Sequence, residues 1–332
     1  MDVFGLLAQD VPTLVFVIVA VPAVLAAYIV GGEYVVRLLP DRRRGSVRPW
    51  IWVGPALIFV TAFLVAPAIG TVIQSVENHE GALVGLVNYQ RQLGDFPTGG
   101  AWVAIRNNLL WLVLYTLFVL FFGLLLAVLF DRVPYEQVVK SMVFLPMAIS
   151  SVALGVIWKF MYWYQAGDVP QTGTLNFIVV NWFHQAPKTW ITDLNVNNYA
   201  LIAAGIWGIT GFSMVILSAA LKGIPGELLE AARVDGAGEI TIFRRVIFPL
   251  MMPTVVVVGT TLVIFALKAF DIVYVMTAGN FGTDVLANRM YKLLYQSDNP
   301  GGASAVAIVL LIAVIPVLIF NLRQFRAVES RR

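Results

Sequence analysis

Apolar residues run through this chain in long blocks rather than alternating with polar ones. Seven stretches carry no Asp, Glu, Lys or Arg: residues 11–32, 50–76, 107–130, 141–158, 194–221, 246–267 and 299–322. A bilayer core takes about 20 apolar residues per helix, so each block predicts a membrane-spanning helix. Pro22, Pro67, Pro146 and Pro316 fall inside blocks. Such prolines break helices in water, but packed membrane helices tolerate them because neighbours satisfy the freed backbone groups. Three long segments, 77–106, 165–198 and 276–302, mix Gly, Pro, Asn, Trp and Tyr without period and read as solvent-facing loops. No internal repeat is visible, which gives no support to an inverted-repeat carrier. The pattern predicts an all-α membrane protein, a polytopic helical bundle.

Composition removes the soluble alternative. Apolar residues make up 59% of the 332 positions and charged residues 12%, against about 45–50% and about 25% in soluble domains. The net charge of +3 is small and no run of basic residues points to nucleic acid. Cysteine is absent, so the redox compartment is not legible. The first ten residues hold Asp2 and Asp10 but no Lys or Arg. The basic region of a cleavable signal peptide is therefore missing, and the first block is expected to persist as a helix.

The placing of charge predicts orientation. Alternate loops gather Arg37, Arg42, Arg43, Arg44, Arg48, Arg132, Lys140, Lys222, Arg233, Arg244, Arg245, Arg323, Arg326, Arg331 and Arg332, fifteen in all. The other loops hold five: Arg91, Arg106, Lys188, Arg289 and Lys292. The first set is expected in the cytoplasm, with the N-terminus outside and the C-terminus inside.

One of the expected cytoplasmic loops has a pattern of its own. In residues 224–238, Pro225 suits a helix start and Glu227 the positive end of its dipole. Leu228, Ala231 and Ala232 recur at helical spacing, and Gly236 is placed for a left-handed C-cap. Glu239 then opens a second amphipathic piece, with Ile240, Phe243 and Ile247 on one face, which Pro249 is expected to stop at the membrane. Such a helix–turn–helix can lie in a groove on a partner; the same residues also fit a linker resting on lipid headgroups.

The run Glu230-Ala231-Ala232, then Asp235-Gly236-Ala237, Phe243, Pro249 and Pro253, resembles the EAA loop of binding-protein-dependent ABC importer permeases. Gly236 and Pro249 stand at the motif's places, while Val246 and Phe248 replace its Ile and Leu. The Asp-Gly-Ala variant is similar to the carbohydrate-importer branch, which includes the larger maltose-transporter permease. The resemblance covers about residues 50–325. It implies a six-helix type I ABC importer permease core with the coupling loop at 222–249, preceded by one extra helix and basic linker in 1–49 and followed by a cytoplasmic tail in 326–332. It implies that Glu230, Ala231, Ala232, Asp235, Gly236, Ala237, Phe243 and Pro249 serve ATPase coupling, with Glu230 pairing to a basic residue of the partner. The implied partners are a second permease, a cytoplasmic ATPase dimer carrying ATP and Mg, an extracytoplasmic solute-binding protein and the lipid bilayer of a bacterial or archaeal cell membrane. The chain itself has no phosphate-cradling glycine loop, so no cofactor and no catalytic residue is expected in it.

A solute path is sought near mid-bilayer, where transporter sites collect. Ser150, Ser151, Thr210, Ser213, Thr260 and Thr261 are the polar groups there, and Gly205, Gly208 and Gly211 thin one helix. The same residue types are ordinary helix-packing material in membranes. Lys159, Lys268 and Asp271 fall near helix ends; the spacing of Lys268 and Asp271 allows them to pair, and Lys159 to reach the interface. Trp158, Tyr162, Trp163 and Tyr164 suit either an interfacial belt or sugar stacking. His79 and His184 lack ligand spacing, so no metal is expected. The function expected is inward movement of a sugar or oligosaccharide by alternating access. The alternatives are another polar solute, such as a polyol or glycerol phosphate, and an ion-coupled carrier. A carrier predicts midplane acids, and an intramembrane enzyme predicts a catalytic dyad or metal cluster in the spans; neither pattern is present.

Overall fold

The computed structural model describes residues 3–95, 97–131, 133–167 and 169–329, with the backbone alone at 3–15, 17, 317–318 and 320–329. Arg132, Arg331 and Arg332 of the charge split lie outside the described residues. The described residues fold into helices joined by loops, with one isolated antiparallel bridge, Glu77 to Leu83. They divide into two compact units, one up to Gly70 and one from Thr71 onward.

The first unit holds α1 (Val3–Leu38), α2 (Asp41–Val60), a π-helical turn at Thr61–Val65 and the start of α3 (Ala66–Gln74). The Tyr28 hydroxyl donates to the Ile51 carbonyl, and the Tyr28 and Trp52 rings meet edge to face at 6.0 Å. Arg48 pairs with Glu33 at 3.0 Å at the turn between the two helices. Val36 is buried, while most of the other described apolar side chains of this unit are exposed, as suits a surface solvated by lipid.

The second unit continues with α4 (Val87–Leu93), α5 (Gly100–Leu110), a π turn at Trp111–Tyr115, α6 (Thr116–Leu129), α7 (Glu136–Phe144), a 3₁₀ turn at Leu145–Ala148, α8 (Ser151–Met161), α9 (Thr174–Asn181) and α10 (Asn197–Lys222). Then come α11 (Gly226–Val234), α12 (Glu239–Ile242), a π turn at Phe243–Ile247, α13 (Phe248–Leu267), α14 (Asp271–Thr277), α15 (Leu286–Tyr295) and α16 (Pro300–Glu329). Among the described residues, five helical stretches are long and apolar enough to cross a bilayer: Ile18–Leu38, Asp41–Gln74, Gly100–Leu129, Asn197–Lys222 and Glu239–Thr277. The bent pair Glu136–Ala148 and Ser151–Met161 is long and apolar enough only when its halves are taken together, as a broken span or a re-entrant loop, and α16 adds a shorter apolar stretch at Pro300–Pro316. The three long loops are not wholly irregular, since α4, α9 and α15 form within them.

The buried core runs along α10, with α6, α8, α13 and α14 around it. Close approach rests on glycine. A Cβ on Gly211 would stand 2.5 Å from the Val143 carbonyl oxygen and 2.7 Å from the Phe144 Cα, both backbone atoms, and one on Gly208 would stand 2.5 Å from Leu154.

Two features correct the linear reading. The 141–158 block is not one straight helix: its two halves meet at 100°. Pro146 tightens the first half into a 3₁₀ turn, and Ser150 starts the second by accepting from the Ala153 N–H at 3.2 Å. Pro249 does not stop the chain at the membrane; helical geometry passes from Glu239 through it into α13. The π turn just before it absorbs the missing N–H, because the Phe248 N–H reaches back five residues to the Phe243 carbonyl.

Candidate functional site

Residues 222–249 form a compact hairpin. Gly223 ends α10, Pro225 caps α11 and Glu227 stands in its first turn. The end of α11 closes as a Schellman motif: Ala237 N–H donates to the Ala232 carbonyl and Gly236 N–H to the Arg233 carbonyl, both at 3.0 Å. Gly236 has φ +80° and open space around it, so the backbone sign, not crowding, selects glycine. The motif's spacing thus has a local cause: Ala232 and Ala237 are the two ends of one helix cap. The Arg233 guanidinium then pairs with Glu239 at 2.9 Å, tying α11 to α12. Glu230, Ala231 and Asp235 are exposed, as are Leu228, Val234 and Ile240; Val234 is 87% exposed and Ile240 78%. Phe243 packs on Phe248 at 6.2 Å, and Ile242 beneath is buried.

The hairpin is rooted in the bundle through Glu136 at the start of α7. Its carboxylate accepts from Lys140 and from Lys222, the latter at 2.6 Å, and Lys140 also donates to the Ser218 hydroxyl. One cluster therefore links the base of the hairpin to the element that bends into α8.

The bend at 149–150 and the break between α13 and α14 face each other across a cavity of about 380 Å³, within the usual size of small-molecule sites. Trp111, Tyr115, Gly205, Gly208, Phe265 and Ser151 contribute to its wall, with Lys268 and Asp271 at the α13–α14 break. That break removes the helical spacing on which a Lys268–Asp271 pair depends, and no ion pair joins them among the described residues.

The midplane hydroxyls separate by geometry. Ser151 lines the cavity and Ser150 caps α8. Thr210 donates to the Ile206 carbonyl at 2.6 Å, Thr260 to Val257 at 2.9 Å and Thr261 to Val257 at 3.0 Å, so each is spent on its own helix. Ser213 is fully buried against Gly123, its hydroxyl without a partner among the described residues.

The sequence reading missed a set of asparagines. Asn107 donates to the Gly282 and Asp284 carbonyls at 2.8 and 2.7 Å, and Asn108 accepts from the Leu286 N–H at 2.8 Å. Asn197 donates to the Phe281 carbonyl at 2.7 Å and Asn198 to Gly282 at 3.3 Å. Together they pin a loop in which Ala278, Gly279, Phe281 and Gly282 all have positive φ. The available signal was an Asn-Asn doublet within the first five residues of each of two apolar blocks. In the same loop Asp284 is buried, which pushes its carboxyl above the usual range despite a hydrogen bond from Asn288.

The broken spans and the capped hairpin define a multi-pass membrane permease. Residues 98–331 match the family of the binding-protein-dependent transport system inner membrane component, and the chain belongs to that family. It is 48% identical over 283 residues to the osmoprotective compounds uptake permease protein GgtC of Synechocystis sp., covering 85% of this chain and 100% of that one. It is 43% identical over 285 residues to the alpha-glucoside transport system permease protein AglF of Rhizobium meliloti, covering 85% and 84%. A chain of a bacterial ABC transporter involved in the import of the acidic polysaccharide alginate superposes with a TM-score of 0.71 at 25% identity, over 86% of this chain and 99% of that one. The protein is accordingly an ABC importer permease of the type I fold.

Proposed function

We propose that this permease carries a neutral glycoside inward, driven by ATP hydrolysis in a separate cytoplasmic ATPase dimer that receives the 222–249 hairpin. The observation that carries the coupling role is the Schellman-closed hairpin, which holds Glu230 beside exposed apolar side chains. An acid and an apolar tip on a rigid turn are what a groove on a partner recognises. A second permease completes the path and an extracytoplasmic binding protein delivers solute to the long loops. The charge split supports an N-terminus outside and a C-terminus inside. The ATP-driven step needs no nucleotide in this chain, which has no phosphate-cradling loop.

The glycoside class rests on the relative named for alpha-glucosides and on a cavity walled mainly by apolar and aromatic groups. One observation favours a second reading, a compact polyol-like osmoprotectant: the relative at 48% identity is named for osmoprotective compounds. The test is ATP-driven uptake of maltose, trehalose, sucrose and sorbitol by wild type and Glu230→Ala in the same cells. Uptake of a disaccharide, lost in Glu230→Ala at normal membrane abundance, is the expected result. Uptake of sorbitol alone selects the second reading, and full uptake by Glu230→Ala removes the coupling role.

A further inference from the structure

A second cavity, of about 460 Å³, lies at the far end of the helix pair that walls the first. Ser151 and Leu154 at the start of α8 and Asp271 and Ile272 at the start of α14 border the first cavity. Lys159 at the end of α8 and Tyr274 to Ala278 at the end of α14 border the second. The two helices pack directly, with Gly155 against Val275. Along α8 the nearest residues of the two walls are Leu154 and Lys159, about 7.5 Å apart at 1.5 Å per residue, so the two spaces adjoin along the helix pair.

The wall of the second cavity is built, not incidental. Tyr162 is 4% exposed and its hydroxyl donates to the Ala200 carbonyl at 3.0 Å. Trp190 lies beside it at 5.8 Å with the rings tilted by 35°, and is fixed by its ring N–H donating to Asn176 Oδ1 at 3.0 Å. Asn176 is fully buried and also holds the Trp163 and Lys188 carbonyls, each at 3.0 Å, and the Lys188 N–H at 2.9 Å. An interfacial belt needs only single rings at the headgroup level; here a buried amide clamps two segments so that their rings face one space.

Polar groups complete it. Lys159, Tyr164, Thr189 and Thr192 also border this space, and their side chains make no hydrogen bond among the described residues. The midplane threonines, by contrast, are spent on their own helices. Fixed rings for the apolar face of a sugar and free donors and acceptors at the edges are the combination that a hydroxyl-rich ring requires.

We infer that this second cavity is an outer glycoside-binding station, occupied before the solute passes along α8 and α14 to the first. The inference rests on the glycoside reading above and adds a separate site to it. The experiment uses the full chain with the subunits that co-purify with it, in nanodiscs, and small alkyl-diazirine derivatives of maltose, trehalose and sucrose. Photolabelled residues are mapped by mass spectrometry. Expected is labelling in 159–164 and 189–192 as well as in 146–154 and 264–272. In Trp163→Ala and Thr192→Ala the outer labelling should fall at least tenfold while the inner labelling persists. Inner labelling alone overturns the station and leaves the glycoside reading intact. Labelling at neither place with any of the three sugars overturns both. Because Trp163 and Thr192 are exposed, membrane abundance should not change; if it falls, competition of the wild-type outer label by unmodified sugar decides, and a label that excess sugar does not displace overturns the station.

Discussion

Replacing Gly236 isolates conformation from packing. A Cβ there meets nothing within 4 Å, so no neighbour has to move. The whole effect comes from φ +80°, where an L-residue pays about 1–2 kcal/mol. One or two kcal/mol changes a population by a factor of about 5–30. Two cap hydrogen bonds and the solvent-screened Arg233–Glu239 pair oppose that strain. Gly236→Val should therefore depopulate the bent hairpin by about that factor, turning α12 away and, on the proposed coupling, separating Glu230 from the groove that would receive it. Asn enters the left-handed region far more readily, so Gly236→Asn should keep most uptake, with Ala between Asn and Val. The assay is ATP-driven uptake beside membrane abundance and ATPase co-purification. Uptake by Gly236→Val equal to wild type, or Asn as damaging as Val, would refute the reasoning.

Three further outcomes are expected. Gly211→Ala should lower membrane abundance, since its Cβ meets backbone at 2.5 Å and overpacking costs about 1–3 kcal/mol; Gly226→Ala, with open space, is the control and should be neutral. Glu136→Gln releases Lys222 from the hairpin root, so uptake should fall more than abundance, whereas equal falls would leave a purely structural role. Asp284 has a folded pKa above its unfolded one, so its contribution to stability is present at low pH and lost as pH rises through the folded value. Asp284→Asn should accordingly flatten the decline of Tm above about pH 4, and an unchanged Tm–pH profile would show that folding does not raise the carboxyl's pKa.

What the sequence disclosed was what depends on neighbours in the chain. The apolar blocks located the spans, and Pro225, Gly236 and Glu239 located a hairpin whose cap is made within six residues, Ala232 to Ala237. What stayed hidden depends on distant partners. Asn107 and Gly282 are 175 positions apart, so nothing local marks the pinned loop. The π turn before Pro249 and the break after Leu267 answer to tertiary packing, and that break undid the Lys268–Asp271 pairing that spacing alone allowed. Thr210, Thr260 and Thr261 sat at the right depth, but depth does not say whether a hydroxyl faces a cavity or its own helix.

The exposed tip of the hairpin has a consequence for biogenesis. Val234 and Ile240 are more open to solvent than many lipid-facing side chains of the spans. They stand on the two short helices between the apolar blocks that end at Leu221 and begin at Val246. A copy synthesised in excess of its ATPase would thus display an apolar knob of the sort that holdases and membrane proteases bind. On the proposed coupling, subunit balance would then need no dedicated regulation, because surplus permease would mark itself for removal until the ATPase covered the knob.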